Sequence, residues 1–234
     1  MTPAEIRTRL EALATPQQKA GAEAYFKGVL PFLGVKGPAV DALVKELRPR
    51  LLALSESERF DLALACLDSD PAELRHVGVM ILHREGKRLP ADLLDRLRPV
   101  LERRATNWGT ADDVAGKVLR YRLPVEADRA RLLDWSRSDS PWLRRLACVA
   151  FVNEAHKGLY AEEIRAVVAG ALALDHRFSQ LGAGWLLRER WRAAPEEVER
   201  FLLEQGPRMQ REAVRYAIEK MPPARRAELL AATR

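Results

Sequence analysis

Trp108 and Asp112 stand four residues apart, Trp142 and Arg145 three, and Phe178 and Trp185 seven, as do Met209 and Tyr216. Residues spaced by three, four or seven share one side of an α-helix. The spacing therefore puts a carboxylate, an arginine and several rings on equivalent faces of successive helices. Electron-rich ring faces attract cations, and a fixed carboxylate stabilises positive charge that develops beside it. An arginine holds a phosphate through charge-assisted hydrogen bonds. A plainer reading stands beside this one: aromatic residues at helical spacing are commonly packing residues, and Val79 and Val149 occupy the same offset as Trp185. Arg145 equally suits an ion pair with Asp112. A carboxylate placed among rings still needs a reason, because burying it unpaired is costly.

These residues belong to a pattern that recurs five times. Blocks around Ala72, Trp108, Trp142, Phe178 and Met209 each lead into an apolar helical stretch, at steps of 36, 34, 36 and 31 residues. Such a period, filled with helix formers, predicts an all-α fold, an α-solenoid of stacked helix pairs with a concave inner surface. Numbered from each block, offsets +5 and +8 are apolar (Val77 and Met80, Ala147 and Ala150, Ala183 and Leu186, Val214 and Ala217) and form the expected core stripe. Helices are expected at 3–14, 16–28, 38–53, 56–66, 71–84, 90–104, 108–121, 126–136, 141–154, 160–173, 177–192, 195–204, 207–220 and 223–232. Proline recurs at or before their starts, where its missing N–H does no harm. With no long linker, a single domain over 1–234 is expected.

The 234 residues carry 39 Lys and Arg against 33 Asp and Glu, a net charge of +6, with 47% hydrophobic and 31% charged residues. That composition belongs to a folded chain with a polyanionic partner, nucleic acid or acidic protein. Cys66 and Cys148 read as small buried hydrophobes in a reducing compartment. The four histidines show no zinc-like spacing, so no metal site is expected. No signal peptide or membrane span is evident, which leads to an expected cytoplasmic address. The turn Phe32–Pro38 precedes a helix whose start, beside Lys36, is either an anion site or an ordinary helix–helix turn. Arg144, Arg188 and Arg211, with Arg103, Arg104, Arg190, Arg192, Arg208 and Arg215, are candidates for following a phosphate backbone.

Asn107–Asp112, Trp142–Arg145 and Gly184–Glu189 resemble hallmark segments of the HEAT-like DNA alkylation repair family. Phe32–Val35 and Arg211–Ala213 are similar to two further landmarks, and the resemblance runs in order from about residue 20 to 220. It implies a superhelix that cradles alkylated double-stranded DNA as a monomer, and excision of N3- and N7-alkylated purines without metal or cofactor. It places Asp112, Trp108 and Trp185 in the catalytic positions, Arg145 at the lesion phosphate and Tyr25 near the DNA backbone. Gly109 departs from the bulkier residue that commonly follows the tryptophan, and Leu181 stands where many relatives have a basic residue. Asp113 adjoins Asp112, but only Asp112 lies four residues from Trp108. Two other functions remain open: a non-catalytic relative that binds DNA of unusual geometry, and a repeat scaffold for an acidic protein.

Overall fold

A computed structural model describes residues 1–233, and every regular element among them is a helix. The chain divides into two compact units, the first ending at Tyr121 and the second beginning at Arg122. The first holds α1 (Pro3–Glu11), α2 (Pro16–Tyr25), α3 (Gly37–Glu46), α4 (Arg48–Leu52), α5 (Glu56–Leu67), α6 (Ala72–Glu85), α7 (Leu93–Arg104) and α8 (Trp108–Lys117). The second holds α9 (Glu126–Trp135), α10 (Pro141–Ala155), α11 (Ala161–Leu172), α12 (Arg177–Arg190), α13 (Pro195–Gln205), α14 (Arg211–Ala217) and α15 (Pro223–Ala232).

In the first unit α6 packs on its partner α5, on α3 before it and on α8 after it, while α5 packs on α7. In the second, α10, α12 and α14 form one row, with α9 against α11 and α13 against α15 behind it. Helix pairs thus stack at the interval of the sequence repeat, the arrangement of an α-solenoid. The offset +5 and +8 residues are buried in α10, α12 and α14, as is Val77 in α6, whereas Met80 is only partly covered. Both cysteines are free and buried, and burial pushes each thiol up to about 12. No helix among the described residues is long and apolar enough to cross a membrane.

Several helix boundaries differ from the sequence expectation, and proline lies behind two of the differences. The helix expected over 38–53 breaks into α3 and α4, because Pro49 has no N–H to donate and its ring crowds the carbonyl of Lys45. The one expected over 207–220 starts only at Arg211, Gly206–Arg208 being a 3₁₀ turn that contains Pro207.

A repeated clamp ties each unit together. Arg75 Nε donates to the Ser69 carbonyl six residues upstream, and Nη1 to the Arg104 carbonyl at 3.1 Å. Arg144 does the same in its own repeat, Nε to Ser138 and Nη1 to Gly170, with Nη2 on Arg137. Gln180 Nε2 reaches the Leu174 carbonyl, again six residues upstream. These contacts satisfy carbonyls left open at helix ends and turns. They also pair Arg75 with Arg144, one residue away from the block alignment.

Candidate active site

The start of α8 is set by Asn107, whose side-chain oxygen accepts from the Thr110 amide at 3.0 Å. The helix therefore begins at Trp108 and carries Asp112 one turn on; both are half-buried. Phe26 stacks on Trp108 with centroids 5.0 Å apart and planes at 23°. Tyr25 meets the same indole edge-on at 5.7 Å while remaining 68% exposed. Phe32 backs Phe26 at 5.3 Å. The indole is thus held from behind by rings from the end of α2 and the turn after it, geometry that favours aromatic pairs.

This cluster explains Gly109. A Cβ there would lie 2.9 Å from Phe26 Cε1 and 3.0 Å from Asn107 Oδ1. Phe26 fills the space a side chain at 109 would need, so glycine at 109 goes with phenylalanine at 26.

Asp113 faces elsewhere. Its carboxylate takes the Lys117 ammonium and one nitrogen of His76, whose other nitrogen meets Asp41 at 3.0 Å. His76 in α6 therefore joins α3 to α8. Burial alone would lower its pKa, but hydrogen bonds and charge from Asp113 and Asp41 outweigh this and raise it. Burial alone would raise Asp113, yet His76 and Lys117 hold it below the usual carboxylate range. Beside them lies a cavity of about 160 Å³, walled by Phe26, Phe32, His76, Gly109 and Asp113. No group of His, Cys, Asp and Glu suited to a metal occurs among the described residues.

The turn before α3 already holds an anion, and it is the chain's own. Glu73, 5% exposed, accepts from the amides of Leu33, Gly34 and Val35 at 3.0, 2.8 and 3.1 Å. Those amides serve the fold; what the turn offers solvent is the exposed Lys36 side chain.

In the second unit the aromatic stripe forms two stacked pairs. Trp142 of α10 stacks on Phe178 of α12 at 5.1 Å, and Trp185 of α12 on Tyr216 of α14 at 6.5 Å. Arg145, 6% exposed, sends Nη1 to the Phe178 carbonyl at 3.1 Å. Gly182 lets it pack there, since a Cβ would stand 3.1 Å from Arg145 Cγ. Arg188 lies over the Tyr216 ring at 4.6 Å, between Glu189 and Glu219.

The expected phosphate contacts divide accordingly. Tyr25 and Lys36 are exposed. Arg144 is buried, and its three carbonyl bonds make it a clamp rather than a surface cation. Arg211 spends its guanidinium on Thr233 and the Leu230 carbonyl. Sequence reasoning missed Phe26, Glu73 and the His76–Asp113 pair. The one available signal was Gly109, a small residue beside a tryptophan that asks what fills the gap.

Fold and site together define a helical-repeat protein whose helices carry electron-rich rings, an acid and arginines. The pattern of the family described as DNA alkylation repair enzyme matches residues 6–221. The chain belongs to that family. Among solved structures it is similar to one from Enterococcus faecalis described as a predicted DNA alkylation repair enzyme, with 17% identity and a TM-score of 0.78 over 90% of this chain and 97% of that one. At that identity the likeness carries the fold. No curated protein matches the chain.

Proposed function

We propose that the protein is a DNA glycosylase that excises N3- and N7-alkylated purines from duplex DNA. Alkylation makes the purine cationic and a good leaving group. As the N-glycosidic bond breaks, positive charge builds on the deoxyribose, as in other oxocarbenium-like hydrolyses. Asp112 stabilises that charge and orients the attacking water. Trp108 and Trp185 present ring faces to the cationic centre, each attraction being about 0.5–2 kcal/mol. Asp112 and Trp108 belong to the first unit and Trp185 and Arg145 to the second; the protein acts as a monomer.

The observation that carries this reading is the braced Trp108 indole on α8 with Asp112 one turn on. A capped helix start fixes the indole, two further rings brace it, and the acid stands on the same face one turn away. Preorganisation of this kind lets an electrostatic group act without reorganising during the reaction. Tyr25 and Lys36 contact the backbone, with Arg188 nearby; Arg145, as buried as Arg144 and bonded to the Phe178 carbonyl, acts through the fold with Arg144 and Arg211. No metal or cofactor takes part. The test is incubation with methylated duplex DNA and chromatography of the freed bases. Release of 3-methyladenine or 7-methylguanine is expected, and intact methylated DNA after long incubation would refute the proposal.

A further inference from the structure

In the second unit, α11, α12 and α13 enclose a cavity of about 270 Å³ that has no part in the chemistry above. Its floor is apolar, formed by the buried side chains of Val168, Leu187 and Val198, and the half-buried Phe201 ring forms a side. Arg190 from α12 lines it and is 6% exposed. One guanidinium nitrogen, Nη2, donates to Glu197 at 2.8 Å. Nε and Nη1 are sealed from solvent and meet no acceptor among the described residues.

Buried donors are almost always matched, and a charged one left open is costly. The described residues supply no acceptor for these two donors, and an anion entering the cavity would offer one. Exposed Arg165 and Arg200 stand at the rim. Three arginines thus face two glutamates, Glu197 and Glu204, and Glu197 is already engaged by Arg190. A guanidinium fork with an apolar floor suits a planar anion on a compact apolar body. A DNA strand does not fit the description: its phosphates have no use for the apolar floor, and the anchoring nitrogens lie beneath the surface.

We propose that this cavity binds a small amphipathic anion, a carboxylate or phosphate carried on an aromatic or branched apolar group, with Arg190 as its anchor. The site is independent of the glycosylase reading. Titration of the full chain with benzoate, phenyl phosphate and neutral benzamide, followed by calorimetry, tests it and tells the two headgroups apart. At least one anion is expected to bind saturably with Kd near or below about 1 mM, and benzamide at least about tenfold more weakly. Arg190→Leu abolishes the binding; Arg190→Lys, which keeps the charge without the fork, and Arg200→Glu on the exposed rim weaken it in a folded protein. The proposal is overturned if neither anion saturates, if benzamide binds equally well, if Arg190→Lys and Arg200→Glu bind as wild type does, or if duplex DNA displaces the bound anion.

Discussion

Gly109→Ala tests whether Phe26 braces Trp108. Alanine normally stabilises a helix relative to glycine by up to about 1 kcal/mol. Here the new methyl would stand 2.9 Å from Phe26 Cε1 and 3.0 Å from Cζ, so the ring has to leave its place against the indole. Overpacking costs about 1–3 kcal/mol, and the stacked pair is worth roughly 0.5–1.5 kcal/mol. Set against the helix gain, the substitution should destabilise the protein by roughly 1–3 kcal/mol. In a Phe26→Ala background the ring is gone, and the same change becomes neutral or stabilising by up to about 1 kcal/mol. Asn107 Oδ1, at 3.0 Å, limits that gain. Urea unfolding followed by tryptophan fluorescence on the four proteins of the cycle reads the coupling, expected to exceed about 1 kcal/mol. Additivity within about 0.5 kcal/mol, or a stabilising Gly109→Ala in the wild-type background, would refute the argument.

Glu73→Ala leaves the amides of Leu33, Gly34 and Val35 without their buried carboxylate and should cost about 2–4 kcal/mol; a midpoint in urea unchanged from wild type would contradict this. The folded state favours protonated His76, so its contribution is complete below the ordinary value of 6.5 and fades as pH rises through the raised value. Asp113 behaves oppositely, its contribution being complete above the ordinary 3.8 and lost as pH falls through the lowered value. Melting temperature against pH should therefore decline on both sides of a plateau, with the alkaline decline reduced in His76→Gln. Affinity for DNA should fall at least about a hundredfold between roughly 50 and 200 mM salt, and a flat response by fluorescence anisotropy would exclude contacts to phosphate.

What the sequence makes legible is local. Apolar residues at +5 and +8 repeat with the helix period, and Asn107 and Thr2 announce helix starts by residue type alone. Tandem blocks imply stacking, which the packing of α10, α12 and α14 bears out. What stays hidden depends on partners far apart in the chain. Phe26 and Gly109 complement each other across 83 residues, and Glu73 caps a turn 38 to 40 residues before it. Arginines are least legible of all. Arg144 and Arg145 are adjacent and identical in type, yet Arg144 closes a turn with three carbonyl bonds while Arg145 reaches the next row helix at Phe178. A long side chain bears on whatever its far end reaches, and the helix period says only roughly which way it points.

The measurement closest to the central proposal is single-turnover base release from methylated duplex DNA by Asp112→Asn. Asparagine keeps the shape of the side chain and removes its charge, so helix content and melting temperature should stay near wild type. The rate should fall by about two to three orders of magnitude. A folded Asp112→Asn protein that frees alkylated purines at the wild-type rate would contradict the role given to this carboxylate.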